Sequence, residues 1–383
     1  MNSRRDDKEL KRKTGDDRSS AFCECLLSWY DAHRRILPWR EDPTPYHVWL
    51  SEIMLQQTRV EAVKAYYARF LAQLPDIASL AGAEEDQYMK LWEGLGYYSR
   101  VRNLHRGAVM VMEQYGGKMP DTALELKKIP GIGEYTAAAI ASIAFGECIP
   151  AVDGNLLRIF ARLTCCPQGI HETAVKKAAQ AFFYERMAQD RTDRPGDFNQ
   201  ALMDLGTAVC LPNAEPLCGM CPLSSFCKAC AAGSPRQYPV VPEKKARKAE
   251  QLTVFLIRDA ERIALKKRPA RGLLAGLYEY PHEPGHLDRE SALEAVRKMG
   301  FSPLRIRPLP EAKHIFTHKE WHMTGYEILA DELESFTDAQ QPAGPGEIFL
   351  ASIREIREIY AVPTAFSAYT SLLPGERETV SRR

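Results

Sequence analysis

The sequence predicts a chain of two domains, an all-helical domain followed by a mixed α and β domain. Residues 20–232 give one helical pattern after another, punctuated by glycine and proline, with hardly any strand-like alternation of apolar and polar residues. Residues 233–250, GSPRQYPVVPEKKARKAE, are rich in proline and lysine and predict an exposed linker. Residues 251–374 then show alternating stretches such as QLTVFLIR and WHMTGYEIL, with a helix pattern near SALEAVRKMG.

The two ends of the chain are polar, with tails expected at residues 1–19 and 375–383. The first tail lacks the apolar core of a signal peptide, and no apolar run approaches the roughly 18 residues of a membrane span. We therefore expect a cytoplasmic protein of bacterial type with no membrane partner. The formal net charge is only +1, so any basic surface for an acidic partner must be local.

The helical domain contains a glycine hairpin at about residues 125–145. The stretch IPGIGEYTAAAIA places Gly131 and Gly133 in front of a small-residue helix, which we expect to begin at about Glu134. Such a turn leaves backbone N–H groups uncovered, and the helix adds the positive end of its dipole, so the pattern suits an anion. An ordinary loop can show the same pattern.

Five of the ten cysteines lie between Cys210 and Cys230, which indicates a site for a soft metal or cluster. A structural zinc would use two close pairs, Cys218 with Cys221 and Cys227 with Cys230. An iron–sulfur cluster would use Cys210, Cys218, Cys221 and Cys227. The spacing alone leaves both alternatives open.

Taken together, the motifs resemble those of the MutY family of adenine DNA glycosylases, within the helix-hairpin-helix DNA glycosylases. They occur in the order LPWRED, SEIMLQQT, GLGYYSRVRNLH, PGIGEYTAAAI, VDGN, FNQALMDLG and the cysteine cluster. The resemblance covers about residues 20–375. It implies a monomeric base excision repair enzyme that hydrolyses the N-glycosidic bond of adenine opposite 8-oxoguanine or guanine in double-stranded DNA. Gly131 and Gly133 would hold a DNA phosphate.

The resemblance also implies roles for four catalytic residues. Breaking a purine glycosidic bond requires a proton on the leaving base and a negative charge beside an oxocarbenium-like sugar. Glu52 would supply the proton if burial raises its pKa, although a solvent-exposed Glu52 would fit the pattern equally well. Asp153 would stabilise the sugar, and Tyr135 and Asn155 would orient the site and the water. Related lyases carry a lysine where this chain has Tyr135, so direct hydrolysis is expected.

Further residues take DNA-binding roles by the same resemblance. Arg35 and Gln200 would approach the extruded adenine, while Gln57 and Tyr97 would wedge into the duplex at the gap left by base flipping. Three arginines are additional candidates for phosphate contacts, namely Arg59, Arg100 and Arg102.

Among cofactors, the resemblance favours a [4Fe–4S] cluster on Cys210, Cys218, Cys221 and Cys227 over zinc. We expect this cluster to have a structural and DNA-positioning role. Seven residues separate Cys210 from Cys218, one more than in the family, so the first loop should bulge, and Cys230 is an additional thiol. A monovalent cation at the hairpin is a further expectation.

The C-terminal domain resembles the MutT-like (Nudix-like) domain with which the family inspects 8-oxoguanine. Its helix region HEPGHLDRESALEAVRKMG lacks the paired glutamates that bind magnesium in Nudix hydrolases, so we expect recognition without hydrolysis. Phe316, Thr317 and His318 align with the Phe-Ser-His segment of the family, and Thr317 keeps the hydroxyl.

Two alternatives remain at this stage. One is an endonuclease III-like glycosylase and lyase acting on oxidised pyrimidines, which Tyr135 and the C-terminal domain oppose. The other is a non-catalytic iron–sulfur protein that binds DNA or carries electrons, which the presence of both Glu52 and Asp153 opposes.

Overall fold

The computed structural model describes residues 20–189, 193–242, 246–259, 261–331 and 346–373. Both predicted tails lie outside the described residues. By their contacts, the residues divide into two compact units. Unit 1 comprises Met1–Gly82 and Asn103–Glu243, and unit 2 comprises Ala83–Arg102 and Lys244–Arg383.

Helices account for the regular structure up to residue 231. They are α1 (20–33), α2 (Pro38–Glu41), α3 (Pro45–Leu55), α4 (Val60–Gln73), α5 (Ile77–Ala81), α6 (Glu85–Leu91), α7 (Ser99–Tyr115), α8 (Ala123–Leu126), α9 (Glu134–Phe145), α10 (Gly154–Thr164), α11 (Thr173–Gln189), α12 (Pro195–Ala208) and α13 (Lys228–Ala231). Short 3₁₀ turns lie at Cys218–Met220, Ser224–Phe226 and Pro235–Gln237. In the described part of the chain, no helix has the length and apolar character needed to cross a membrane.

The glycine hairpin leads into α9, which begins at Glu134 with Gly133 as its N-cap. Helix α9 ends where Gly146 takes the left-handed conformation, with φ of 74°. Small side chains let α9 pack closely against α3. The same unit has an apolar core built mainly from α1, α10, α11 and α12. These helices therefore form a rigid frame for residues at their ends.

Unit 2 is built around one mixed sheet. Its strands are β1 (Lys248–Arg258), β2 (Arg262–Lys267), β3 (Tyr278–Glu279), β4 (His282–Pro284), β5 (Ser302–Ile315), β6 (Lys319–Asp331) and β7 (Ile348–Ser352). The strand order is β3-β2-β1-β6-β5, with β4 paired to β1 and β7 to β2. Strands β1 and β6 run parallel, and β5 and β6 form an antiparallel hairpin. Helices α14 (Arg289–Lys298), α15 (Ile353–Glu358) and α16 (Ser367–Thr370) complete the unit.

Both faces of this sheet are covered, as the alternation along β1 requires. Leu252, Val254 and Leu256 point into one apolar cluster, while Phe255 and Ile257 point into the other. The predicted fold class, an all-helical domain followed by an α+β domain, is confirmed.

The segment Ala83–Arg102 is helical in character and groups with the sheet of unit 2. The Tyr278 hydroxyl donates to both carboxylate oxygens of Asp86 at 3.1 Å. Lys90 Nζ donates to the carbonyls of Ile356 and Tyr360 at 2.9 and 3.1 Å. The periodicity of this segment predicted helix but not its packing partner.

Candidate active site

One cavity of unit 1, about 210 Å³ in volume, collects the residues for which the sequence analysis predicted a chemical role. Its lining includes Arg35, Glu52, Tyr135, Asp153, Asn155 and Gln200. They come from the loop after α1, from α3 and α9, from the start of α10 and from α12. We call this space the catalytic cavity.

Glu52 lies in the buried wall of the catalytic cavity, with 7% of its surface exposed. Burial raises the pKa of Glu52 to about 7, and the nearby Asp153 charge adds to this effect. The Tyr135 hydroxyl donates to Glu52 Oε2 at 2.6 Å, which opposes the rise. Glu52 is therefore able to hold or release a proton near neutral pH.

Asp153 is the N-cap of α10. Its Oδ1 accepts from the backbone N–H groups of Asn155 and Leu156, both at 2.8 Å, and Asn155 Nδ2 donates to Oδ2 at 2.7 Å. Aspartate is common at the N-cap because its carboxylate accepts hydrogen bonds from N–H groups that lack a partner in the helix. Burial raises the pKa of Asp153, and these hydrogen bonds oppose the rise. Its carboxylate is held firmly at the positive end of α10.

Sequence reasoning missed a second buried carboxylate, Asp204 on α12, which joins Arg35 to Arg40. Arg35 Nε donates to Asp204 Oδ1 at 2.8 Å, and Arg40 Nη1 donates to Oδ2 at 2.7 Å. Burial alone would raise the pKa of Asp204, but the two guanidinium groups hold it below its usual range. A signal was present, because Asp204 follows Gln200 by four residues in FNQALMDLG and so shares its helix face.

Arg158 on α10 was also missed. Its Nη2 donates to Asn155 Oδ1 at 2.8 Å and to the carbonyl of Gly206 at 2.7 Å, and its Nε donates to the carbonyl of Cys210 at 2.9 Å. Gly206 is required here, because a Cβ would lie 2.7 Å from the Asn155 side chain. Arg158 thus ties Asn155 to the segment that carries the cysteines.

The cysteine segment folds around a small apolar space at the other end of α10. All five cysteines line it: Cys210, Cys218, Cys221, Cys227 and Cys230. Arg162 Nη1 donates to Cys210 Sγ at 3.1 Å. Burial raises the pKa of Cys218 to about 11, and the neighbouring thiols of Cys230, Cys227 and Cys210 contribute. Within the part of the chain that the structure describes, no three His, Cys, Asp or Glu side chains are placed to hold one metal ion together.

The seven residues between Cys210 and Cys218 form an outward bulge. Residues 212–215 are exposed, and the Leu217 N–H closes the loop by donating to the Val209 carbonyl at 2.9 Å. The exposed loop therefore leaves the thiols on either side of it facing the same space.

Two protein families match the chain in succession. Residues 50–184 match the HhH-GPD superfamily of base excision DNA repair proteins, and residues 253–371 match the NUDIX domain. The adenine DNA glycosylase of Homo sapiens is 38% identical, over 93% of this chain and 75% of that protein. The protein of the same name from Mus musculus is 37% identical, over 83% and 72%.

A bacterial relative, the adenine DNA glycosylase of Buchnera aphidicola subsp. Baizongia pistaciae, is 32% identical over 83% of this chain and 88% of its own length. The chain belongs to the adenine DNA glycosylase family. The resemblance drawn from the motifs is confirmed, and with it the Nudix-like character of the C-terminal domain. A solved structure titled as a thermostable thymine-DNA glycosylase is 25% identical, with a TM-score of 0.50, over 57% of this chain and 99% of that one.

In this member of the adenine DNA glycosylase family, the hairpin has the backbone that its glycines predict. Gly131 has φ of 82°, and a Cβ there would lie 2.6 Å from Asn103 Cβ. The Ile132 N–H donates to the Ile129 carbonyl at 3.1 Å, which closes the turn in front of α9. Gly131 is therefore required both by its conformation and by the space around it.

The two residues expected to wedge into the duplex share an unusual backbone. Gln57 and Tyr97 are non-glycine residues with positive φ, at 58° and 46°. Such conformations cost about 1–3 kcal/mol and tend to occur at functional sites. Both side chains are exposed.

Phe316, Thr317 and His318 form the turn between β5 and β6 in unit 2. The Phe316 ring packs edge-on against Trp321, with 4.8 Å between ring centroids, so Phe316 anchors the turn. Thr317 and His318 are exposed. The Thr317 hydroxyl lies 2.6 Å from the hydroxyl of Tyr97, which brings a predicted wedge residue to the predicted recognition turn.

The expectation that Arg100 contacts DNA phosphate is wrong. Arg100 is buried, its Nη2 donates to the carbonyls of Leu95 and Gly96 at 3.0 Å, and its guanidinium lies over the Trp92 ring. Arg100 therefore supports the turn that precedes Tyr97. Arg102 is engaged as well, donating to Glu85 and to the Ala275 carbonyl. Arg59 stays exposed at the start of α4.

Proposed function

We propose that this protein is a monofunctional adenine DNA glycosylase that hydrolyses the N-glycosidic bond of adenine opposite 8-oxoguanine or guanine in double-stranded DNA. The observation that carries the proposal is the pairing of Glu52 and Asp153 in one cavity beside Tyr135. Two carboxyl groups with different surroundings can divide the roles of acid and electrostatic partner. Family membership supports adenine as the base that is removed.

Glu52 is the proposed general acid. With a pKa of about 7, a substantial fraction of Glu52 is protonated at neutral pH. Its Oε2 accepts the hydrogen bond from Tyr135, so Oε1 is left to donate a proton to the ring nitrogen N7 of the flipped adenine. Protonation makes the base a better leaving group, and the bond to the sugar weakens.

Asp153 is the proposed partner of the cationic sugar. Three hydrogen bonds fix its carboxylate, so no reorganisation is needed when positive charge develops on the sugar. Asn155 contributes two of these bonds, one from its backbone N–H and one from Nδ2, and its side chain is itself held by Arg158. We assign Asn155 and Tyr135 to orienting the carboxylates and the attacking water.

Water is the proposed nucleophile. Among the described residues that line the catalytic cavity, none is a lysine, and a phenol such as Tyr135 cannot form a Schiff base with the sugar. This argues against the endonuclease III-like lyase, and the Nudix-like domain argues against it as well. Arg35 and Gln200, on the same lining, are assigned to the edge of the adenine.

The cysteine segment fits the proposed [4Fe–4S] cluster. Four thiolates at the corners of a cluster surround a volume, whereas zinc ligands converge about 2.3 Å from one ion. The thiols line one apolar space, and the Arg162 guanidinium beside Cys210 complements thiolate charge. Cys210, Cys218, Cys221 and Cys227 would hold the cluster, with Cys230 as a spare thiol. When bound, the group supplies a structural cross-link.

The remaining assignments concern the DNA. The hairpin amides at Gly131 and Gly133 would bind a backbone phosphate, and the monovalent cation would sit at the same turn. Gln57 and Tyr97 would fill the gap left by the flipped base, and the turn with Thr317 would contact 8-oxoguanine. We propose that a monomer acts where the chromosome lies, which is the cytoplasm of a bacterial cell.

The test is a single-turnover assay on a duplex with one adenine opposite 8-oxoguanine, with and without alkali after the reaction. Alkali breaks the strand at an abasic site, so breaks that require alkali mean hydrolysis without lyase chemistry. Borohydride supplies a second measurement, because it traps a Schiff base as a covalent complex and should trap nothing here.

Other outcomes assign the protein differently. Breaks without alkali, together with trapping, would mean lyase chemistry. Binding of the mispaired duplex without any excision would place the protein in the non-catalytic class.

A further inference from the structure

A second, larger cavity lies beside the catalytic cavity in unit 1. It measures about 540 Å³, and we call it the outer cavity. Five residues line both cavities: Arg35, Leu37, Arg40, Ile143 and Gln200. These five residues form a shared wall.

Most of the shared wall is fixed. Asp204 holds Arg35 and Arg40 through charge-assisted hydrogen bonds, and Leu37 is buried in the core. Gln200 differs, because its side-chain amide makes no hydrogen bond to any residue that the structure describes. Its side chain is therefore the polar part of the wall that is able to change rotamer without breaking a bond.

The outer cavity is lined by charged side chains of both signs together with apolar and neutral polar ones. Tyr30 is buried in its wall, and Arg34, Glu41 and Gln200 add groups that can form hydrogen bonds. Ile36 stands on its solvent rim, 85% exposed. Flat purine bases bind between apolar or aromatic surfaces and a few hydrogen-bonding groups, and the lining offers both.

The proposed function requires an exit for the excised base that does not lead past the bound DNA. The inference rests on that function. A flipped nucleotide enters the catalytic cavity while its sugar stays joined to the strand. After hydrolysis the abasic sugar still fills the entrance, so the free base lies between the DNA and the shared wall.

We propose that the outer cavity receives the excised adenine through the shared wall, with Gln200 as the moving side chain, so that the base leaves before the DNA. The ligand of the outer cavity is thus a free purine base. Gln200 would hydrogen-bond the adenine on the catalytic side and turn with it.

The experiment compares bond cleavage with base release in one duplex. The duplex carries adenine labelled in the base opposite 8-oxoguanine, and it is fixed to beads through the other strand, with enzyme in excess. Chemical quenching measures cleavage, and rapid separation of the beads measures adenine that has reached solution. Protein retained on the beads measures the complex with abasic DNA.

In the unmodified protein, adenine should reach solution while the enzyme stays on the beads. Adenine that leaves only together with the enzyme would overturn the inference and leave the proposed function intact. Absence of cleavage would instead overturn the proposed function itself, and with it the inference. The order in which adenine and abasic DNA are released is measured on the unmodified protein. It can therefore be determined even if the variants do not fold.

Variants then test the route. Ile36→Trp and Arg34→Trp each place a bulky ring at an exposed lining residue of the outer cavity and should slow adenine release about tenfold at an unchanged cleavage rate. Tyr184→Trp is the matched control, because Tyr184 is an exposed residue of α11 that lines neither cavity. Folded tryptophan variants that release adenine as fast as the control would exclude the outer cavity as the route.

Discussion

Glu52 and Asp204 are two buried carboxylates of the same unit with opposite titration behaviour. Each is less than one-tenth exposed. Burial raises the pKa of Glu52 to about 7, whereas the pKa of Asp204 lies below its usual range despite burial. Glu52 has a neutral phenol as its hydrogen-bond donor, while Asp204 has two guanidinium groups.

This difference separates a chemical site from a structural one. A buried carboxylate that is fully paired with cations stays ionised and holds its neighbours in place. A buried carboxylate with only neutral donors keeps its proton near pH 7 and is able to transfer it. In this enzyme, Asp204 holds Arg35 and Arg40 in the lining of the cavity that also contains Glu52, the proposed acid.

The largest expected effect comes from Glu52→Gln. Glutamine keeps the shape of the side chain but has no acidic proton, so the single-turnover excision rate should fall by about 10³-fold or more, while binding to the mispaired duplex is retained. Glu61→Gln is the control, because Glu61 is an exposed partner of Lys64 on α4. Normal excision by Glu52→Gln would refute the assignment of the acid.

Asp204→Asn removes the charge of the buried carboxylate that has a structural role. Removing the carboxylate leaves two guanidinium groups without their counter-ion, so the free energy of unfolding should fall by about 3 kcal/mol. Asp197→Asn on the same helix is the matched control, because Asp197 pairs with Arg194 near the surface and should contribute less than about 1 kcal/mol. Equal losses in urea denaturation would mean that Asp204 is not a buried structural charge.

The pH dependence of stability measures the burial of Glu52 directly. The pKa of Glu52 is higher in the folded protein than the usual value near 4.5, so folding favours the protonated form. Its contribution is therefore present below about pH 4.5 and is lost as pH rises to about 7. Between pH 5 and 8, Glu52→Gln should gain about 2–3 kcal/mol of stability relative to the unmodified protein. A constant difference across this range would contradict the raised pKa.

Tyr135→Phe should have the smallest effect on the excision rate. It tests whether the neutral donor of Glu52 influences the pKa of that carboxyl group. The Tyr135 hydroxyl lowers the pKa of Glu52, so its removal should raise that pKa and move the alkaline limb of the excision profile from about pH 7 to higher pH. The rate at the optimum should change by less than about tenfold, because the acid itself remains. An alkaline limb at unchanged pH would show that the Tyr135 hydroxyl does not lower the pKa of Glu52.

The sequence was informative where residue type alone carries meaning. The glycine hairpin, the Asp153 cap and the strand alternation of β1 follow from local rules, so the fold class could be predicted. The lining of the catalytic cavity by Glu52, Tyr135 and Asp153 was expected from the resemblance, and the structure places all three there. Their roles remain predictions.

Pairings across long separations could not be read from the sequence. Asp204 and Arg40 are both polar residues within motifs, and nothing local distinguishes a buried pair from two exposed charges. For Arg100 the sequence predicted an exposed role that the structure contradicts. This basic residue near a DNA-binding motif was assigned to a phosphate contact, but it lies buried over Trp92. Residue type predicts which chemistry is possible, and packing decides whether solvent or DNA can reach it.

The attachment of residues 83–102 to the sheet limits how the chain can be dissected. Asp86 and Lys90 find their partners at Tyr278, Ile356 and Tyr360, all of which follow the linker. A truncated chain that ends at the linker would keep Tyr97 but lose the partners that hold its segment. Deleting the C-terminal domain would therefore remove more than the turn that is proposed to contact 8-oxoguanine, because it would also remove the packing partners of residues 83–102.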